Sequence, residues 1–266
     1  MNIDGDGFLS EASQEKARQI CISNDRVFKE LERGISEVRS FVSLQEVKKQ
    51  DTDEGRQKII ALVLAVRVLE LSEAILLVMR HGMSNEANTL FRVFLDAYFV
   101  LANVCGDASF VANYFKSDEA ARLKLLNAAK KHDSELFEAI NEYATEALHD
   151  ELQKKIAEEK IQAFNSYAYA NNIGCSEIYD SMYRIASGSL HTTPRSLEKY
   201  VEEDAEGNVV LIKDYPLEGD IPDRAYDVAY FLIKLLSGLK EVFGCFVDEE
   251  IQTQIDDLNE AVKNEK

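Results

Sequence analysis

GRQKIIALVLAVRVLELSEAILLVMRHGMSNEANTLFRVFLDAYFVLANVCG, residues 55–106, reads as two apolar helices joined by a tight turn. Gly82 ends the first at about Arg80, Ser84 stands where it can cap the second, and Gly106 follows the end of that helix at about Cys105. The run Ile59 to Met79 is apolar enough to be weighed as a membrane span, but Arg67, Glu70 and Glu73 interrupt its centre. Each such charge costs about 2.5–3.5 kcal/mol on insertion scales, so a buried core helix is expected instead, with those three residues on its exposed edge.

Outward from this pair the chain continues to read as helix. No proline occurs between Met1 and Thr193, and the three present, Pro194, Pro216 and Pro222, all fall in one stretch of loops and helix starts. Apolar residues at three- and four-residue spacing predict an amphipathic helix from Ser10 to about Val47, bent at Gly34. Short helices are expected near 108–115 and 118–131, then a more polar outer helix from Ser134 to about Asn171, ended by Gly174. A helix from Ser176 to about Ser187 leads to a short one capped by Thr193 with Pro194 first, and Pro222 opens another through Phe243. Residues 203–221 are expected as a loop or hairpin excursion, with a small β-hairpin near 208–216 built on VVLI at 209–212. The expectation is a single all-α bundle domain over 1–266, with a flexible terminus at 1–9 and an acidic terminal helix at 248–266.

Composition narrows the function classes. With 48 acidic against 30 basic residues the 266-residue chain carries a formal net charge of -18, which repels nucleic-acid backbones and anionic membranes. Cys21, Cys105, Cys175 and Cys245 lie 70 or more residues apart and form no C-x-x-C pair, so neither a zinc site nor a disulfide framework is read. The amino terminus has no basic start and no apolar core, and a reducing, cytoplasmic location is the expectation. No cofactor or metal is called for. NIDGDGFLS at 2–10 matches half of a calcium-binding EF-hand loop, but position twelve is Ser13, not a bidentate Glu.

Two places carry polar residues that ask for a reason. On the second apolar helix Asn85, Thr89, Arg92, Asp96 and Asn103 fall within about 60° of one another at 100° per residue, a narrow stripe that must face water or a polar cavity. Further on, YRIASGSLHTTPRSL (183–197) sets His191 in a hydroxyl-rich junction beside Arg184, Ser187 and Arg195. Such a junction can bind an anion, and a histidine can exchange a proton near neutral pH; a histidine capping nearby carbonyls is the alternative.

At these two places the chain resembles a family of bacterial helical proteins of unknown function. LFRVFLDAY (90–98) is similar to that family's R-x-x-x-[ED] helix and YRIASGSLH (183–191) to its Y-R-x-x-S-x-x-[VL]-H segment, over about Ile60 to Phe243. The resemblance implies Arg92, Asp96, Ser187 and His191 as the matching polar positions and supplies no activity; the narrow stripe on an apolar helix and the histidine junction themselves lead to the expectation of a ligand-binding or regulatory protein whose pocket draws on these four. A small ligand or a protein is then the expected partner. A second likeness is to HEPN ribonucleases, whose Arg and His are separated by four to six residues, as Arg184 and His191 are by six. Ile185 directly after the arginine and Gly188 inside the spacer depart from that pattern. It would make the protein a metal-independent endoribonuclease in which His191 moves a proton and Arg184 offsets charge on phosphorus. That reading calls for a positive groove beside His191, formed across a homodimer.

Overall fold

The computed structural model describes residues 2–4, 7–48, 51–132, 135–142, 144–191, 194–246 and 253. The two apolar helices are α3 (Asp53–Arg80) and α4 (Ser84–Gly106), packed along their lengths as an antiparallel pair. Thr52 starts α3 by accepting the Gly55 N–H at 3.0 Å, with Asp53 and Glu54 in the first turn where the helix dipole favours carboxylates. Between them Gly82 takes a left-handed φ of 69°, and its carbonyl accepts the Leu217 N–H at 2.9 Å. Met83, not Ser84, is the residue that caps α4; Ser84 is its first helical residue and is buried.

The bundle needs two more helices to close its core. These are α2 (Asp25–Ser43) and α12 (Ile221–Val242), preceded in the chain by α1 (Glu11–Ser23). Helix α12 lies against α2, α3 and α4, and its Phe231 ring sits 4.6 Å from that of Tyr98 and 6.2 Å from that of Phe94. The expected bend at Gly34 is not where the first helix breaks. The break is at Asn24, whose amide donates to the Ile20 carbonyl at 2.9 Å and to Glu218 at 2.6 Å. Gly34 lies inside α2 where it faces α12, and a Cβ there would stand in ordinary contact with Leu232 at 3.6 Å. The outward edge of α3 carries Arg67, Glu70 and Glu73 as the sequence suggested, Glu73 bonded to Arg39 of α2 at 2.5 Å.

The remaining helices form an outer layer. One helix, α5 (Phe110–Lys131), replaces the two short ones expected there. The predicted long outer helix is divided into a 3-10 turn at Glu135–Phe137, α6 (Glu138–Asn141), α7 (Glu146–Glu159) and α8 (Ser166–Asn172). Residues 176–190 run as one rod: α9 (Ser176–Ile178), a π-helical turn (Tyr179–Tyr183) and α10 (Arg184–Leu190). Then come α11 (Pro194–Leu197), with Pro194 first as expected, and a 3-10 turn at Glu198–Tyr200. Thr193, read as the cap of α11, lies outside the described residues, as does the acidic helix expected at 248–266 apart from Thr253.

The small β element is larger than a hairpin. β2 (Val201–Glu203) and β3 (Val209–Lys213) pair antiparallel, and β1 (Asn2–Asp4) adds to the other edge of β3 in parallel, with Asn2 opposite Leu211 and Asp4 opposite Lys213. Part of the terminus expected to be flexible is therefore a strand; of the half EF-hand match, Asn2 and Asp4 lie in that strand, residues 7–10 lead into α1, and Gly5 and Asp6 lie outside the described residues. Among the described helices α4 alone is long and apolar enough to cross a membrane, and half of its most apolar window is buried inside the protein.

Candidate functional site

The polar stripe of α4 is half-buried at Asn85, Thr89, Arg92 and Asp96 and buried at Asn103, so it is not a wet edge. It is the line along which α8 and the 176–200 segment dock. Asn103 donates from its amide to the Phe99 carbonyl and to the Tyr169 carbonyl of α8, both at 2.8 Å. Two and three turns back, Asp96 and Arg92 pair with each other. At the amino end of the helix the Asn85 amide donates to the Tyr200 hydroxyl and, at 3.5 Å, to the Ser196 carbonyl. Tyr183 meets Phe99 and Arg92 while Tyr200 meets Asn85, so the segment runs antiparallel to α4.

At the middle of this seam four side chains close a ring. The Arg92 guanidinium donates to Asp96 Oδ2; Ser166, first residue of α8, donates to Asp96 Oδ1 at 2.5 Å; and the Tyr183 hydroxyl donates to Ser166 Oγ at 3.1 Å. The ring closes where the guanidinium lies over the Tyr183 aromatic face, 4.7 Å from its centre. Burial pushes the Tyr183 phenol above its ordinary value of 10.0, the Ser166 bond opposes the rise, and the Asp96 charge adds to it. The π turn 179–183 is what aims this tyrosine, since it ends at Tyr183 and shifts the face that α9 would otherwise present.

Of the four residues the resemblance put together, Arg92 and Asp96 are in direct contact. Ser187 reaches the same place indirectly, its hydroxyl donating to the Tyr183 carbonyl at 2.7 Å. His191 caps α10 with an exposed ring, and among the described residues no hydrogen bond or ion pair joins it to the other three. Arg184 also faces outward, paired with Asp180 at 2.9 Å and lying over the Tyr179 ring at 5.6 Å. Nothing found supports the HEPN likeness. Two members of the ring, Ser166 and Tyr183, were not singled out from the sequence. Tyr183 stood inside the quoted segment, beside the arginine that drew attention, whereas Ser166 in NSYAYANN carries no signal of its own.

Two atoms on the seam lack partners. Arg92 Nε and Asn85 Oδ1 are buried with no hydrogen bond, although Arg92 keeps a side-chain exposure of 25%. Beyond Asn85 the Lys199 ammonium donates to Ser84 Oγ at 3.3 Å, and burial pulls its pKa below 10.5 against the opposing charges of Asp220 and Glu86. Among the described residues no cluster of three or more His, Cys, Asp or Glu could hold a metal ion.

A second buried polar cluster, invisible in the sequence, fastens α12 to α4. Arg224 is 7% exposed and donates from Nε to Asn88 at 2.8 Å and from a terminal nitrogen to Asp227 at 2.7 Å, its guanidinium 4.0 Å from the centre of the Phe91 ring. Asn88 in turn donates to Asp220 at 2.6 Å. Because its donors are met within the protein, this arginine reads as a fastener.

No curated protein and no solved structure matches the chain. One family model does, over residues 58–209, more than half of the chain and all of the seam from Asn85 to Tyr200. The chain therefore belongs to the family of unknown function DUF5677.

Proposed function

We propose that this chain is a cytoplasmic binding protein for a small polar molecule held in the seam between α4 and the 183–200 segment, with Arg92 as its anchor. The observation that carries the reading is the pair of buried, unpartnered atoms, a donor at Arg92 Nε and an acceptor at Asn85 Oδ1. An unmet buried polar group costs about 1–3 kcal/mol, so two on one seam call for a water or a ligand. Swapping the nitrogen and oxygen of the Asn85 amide does not remove the vacancy, because the Tyr200 hydroxyl occupies one of the two ends either way.

The two positions lie seven apart in the sequence, about 10 Å along the helix, which suits a molecule carrying an acceptor at one end and a donor at the other. An extended tripeptide, its carboxylate and amine roughly 10 Å apart, has that character. Ser187 and His191 then belong to the wall and rim of the site, and Tyr183 supplies the face on which Arg92 is fixed.

Thermal melting of the purified protein against triglycine and trialanine tests the reading. A probe that raises the melting temperature of the wild type but not of Arg92→Gln or Asn85→Ala supports it. Equal shifts in all three proteins, or none in any, remove it.

A further inference from the structure

We propose a second binding site, in the cleft between α5 and residues 159–172, for a planar heteroaromatic ring that carries one carboxylate or phosphate. The cleft has a volume of about 370 Å³, within the range of about 300–1,000 Å³ usual for small-ligand sites. Its floor is aromatic: Phe110, 9% exposed, and the half-buried Tyr169 meet edge to face at 5.3 Å, and both line the cleft. That floor is held from behind, since the Tyr169 carbonyl is the acceptor for Asn103 on α4.

The rim supplies charge and ring-edge partners. Lys116 is neutralised by Glu159 at 2.8 Å, but Lys160 has no ion partner among the described residues, so the cleft carries one uncompensated positive charge in a chain of net charge -18. Asn113, Gln162 and Asn172 offer carboxamides, which can both donate to and accept from the edge of a heterocycle.

The backbone at Lys160 is the strongest sign. It ends α7 in the left-handed region, φ 52° and ψ 41°, where its N–H and that of Ile161 return to the α7 carbonyls. Every other left-handed position among the described residues is a glycine. A side chain costs free energy there that glycine does not, and the lysine that bears that cost lines the cleft.

Titration calorimetry with orotate and with uridine 5′-monophosphate tests this, with uracil as the ring lacking an anion. One or both anions should bind with a Kd below roughly 1 mM, and uracil at least about tenfold more weakly. Orotate alone assigns the anion as a carboxylate, the nucleotide alone as a phosphate. Lys160→Gly should lose about tenfold in affinity while melting at a higher temperature, because the strain goes with the side chain. The rise in melting temperature shows that the variant is folded. The proposal is overturned by the absence of saturable binding of either anion, by uracil binding as tightly, or by unchanged affinity in Lys160→Gly.

Discussion

The Arg92 guanidinium rests over the Tyr183 ring with its carbon 4.7 Å from the ring centre, and Asp96, one turn along α4, holds it there. The same carboxylate accepts a hydrogen bond from Ser166 of α8, so one acidic side chain fastens α8 to α4 and, through Ser166 and Arg92, holds Tyr183.

Replacing Asp96 with Ala should therefore strip both Arg92 and Ser166 of their acceptor. Removing one partner of a fully buried pair costs about 3–5 kcal/mol, but side-chain exposures of 25% for Arg92 and 17% for Asp96 place this pair nearer the boundary. A loss of about 1–3 kcal/mol is expected, read from urea unfolding. Arg92→Ala combined with Asp96→Ala should cost less than the two single changes added, with a coupling of about 0.5–3 kcal/mol. Strict additivity would show that the ring is not a unit.

Arg224 is the comparable case on α12. It is 7% exposed, but the carboxylates it pairs with, Asp227 and Asp220, keep side-chain exposures of 22% and 39%, so Arg224→Met should cost about 1–3 kcal/mol by the same unfolding measurement. Lysine should not rescue it. A single ammonium cannot reach Asn88, Asp227 and the face of Phe91 in the way a planar guanidinium does.

How much of this was legible in the sequence follows from range. The α3–α4 pair was readable because hydrophobic periodicity is a local property, and so were the helix start at Pro222 and the stripe Asn85 to Asn103. The break at Asn24 was not, because the carboxylate that seats it, Glu218, lies far along the chain. Nor was Arg224, whose partner Asn88 is on another helix and inside an otherwise greasy run. In the site, Arg92 and Asp96 were found because they are four residues apart on one helix. Ser166 was missed because only tertiary packing brings its hydroxyl to them, and His191, conspicuous in the sequence, ends on the surface.

Gly82 and Gly106 stand at the two ends of the α4 region and should respond oppositely to alanine. At Gly82 φ is 69° and a Cβ would sit 2.5 Å from Pro216 and 2.7 Å from Ile20, so Gly82→Ala has no accommodating move that spares the core. A loss of about 2–4 kcal/mol is expected from combined strain and overpacking. A Cβ at Gly106 meets nothing within 4 Å and the residue is helical, so Gly106→Ala should gain about 0.4–1 kcal/mol. Thermal melting of both variants decides it; a Gly82→Ala protein as stable as the wild type would refute the turn geometry.

Alkaline pH should weaken the fold through its buried phenols. Burial raises the pKa of Tyr183, Tyr114 and Tyr98 above 10.0, the value each regains on unfolding. Above that pH the native state holds protons that the unfolded chain has released, so this contribution to stability is complete below pH 10.0 and drains away as the pH climbs through the folded values. Lys199 acts with the opposite sign. Its folded pKa is depressed below 10.5, so the unfolded chain binds the extra proton and stability gains as the pH rises from that folded value to 10.5. Melting temperature followed from about pH 8 to about pH 12 should therefore fall at the upper end in the wild type. It should fall less steeply in Tyr183→Phe, which removes one of the three phenols. Lys199→Met should flatten only the limb below 10.5, where the ammonium is the group that titrates. An identical alkaline slope in Tyr183→Phe and the wild type would mean that this phenol ionises as freely in the folded protein as in the unfolded chain, against its place in the seam.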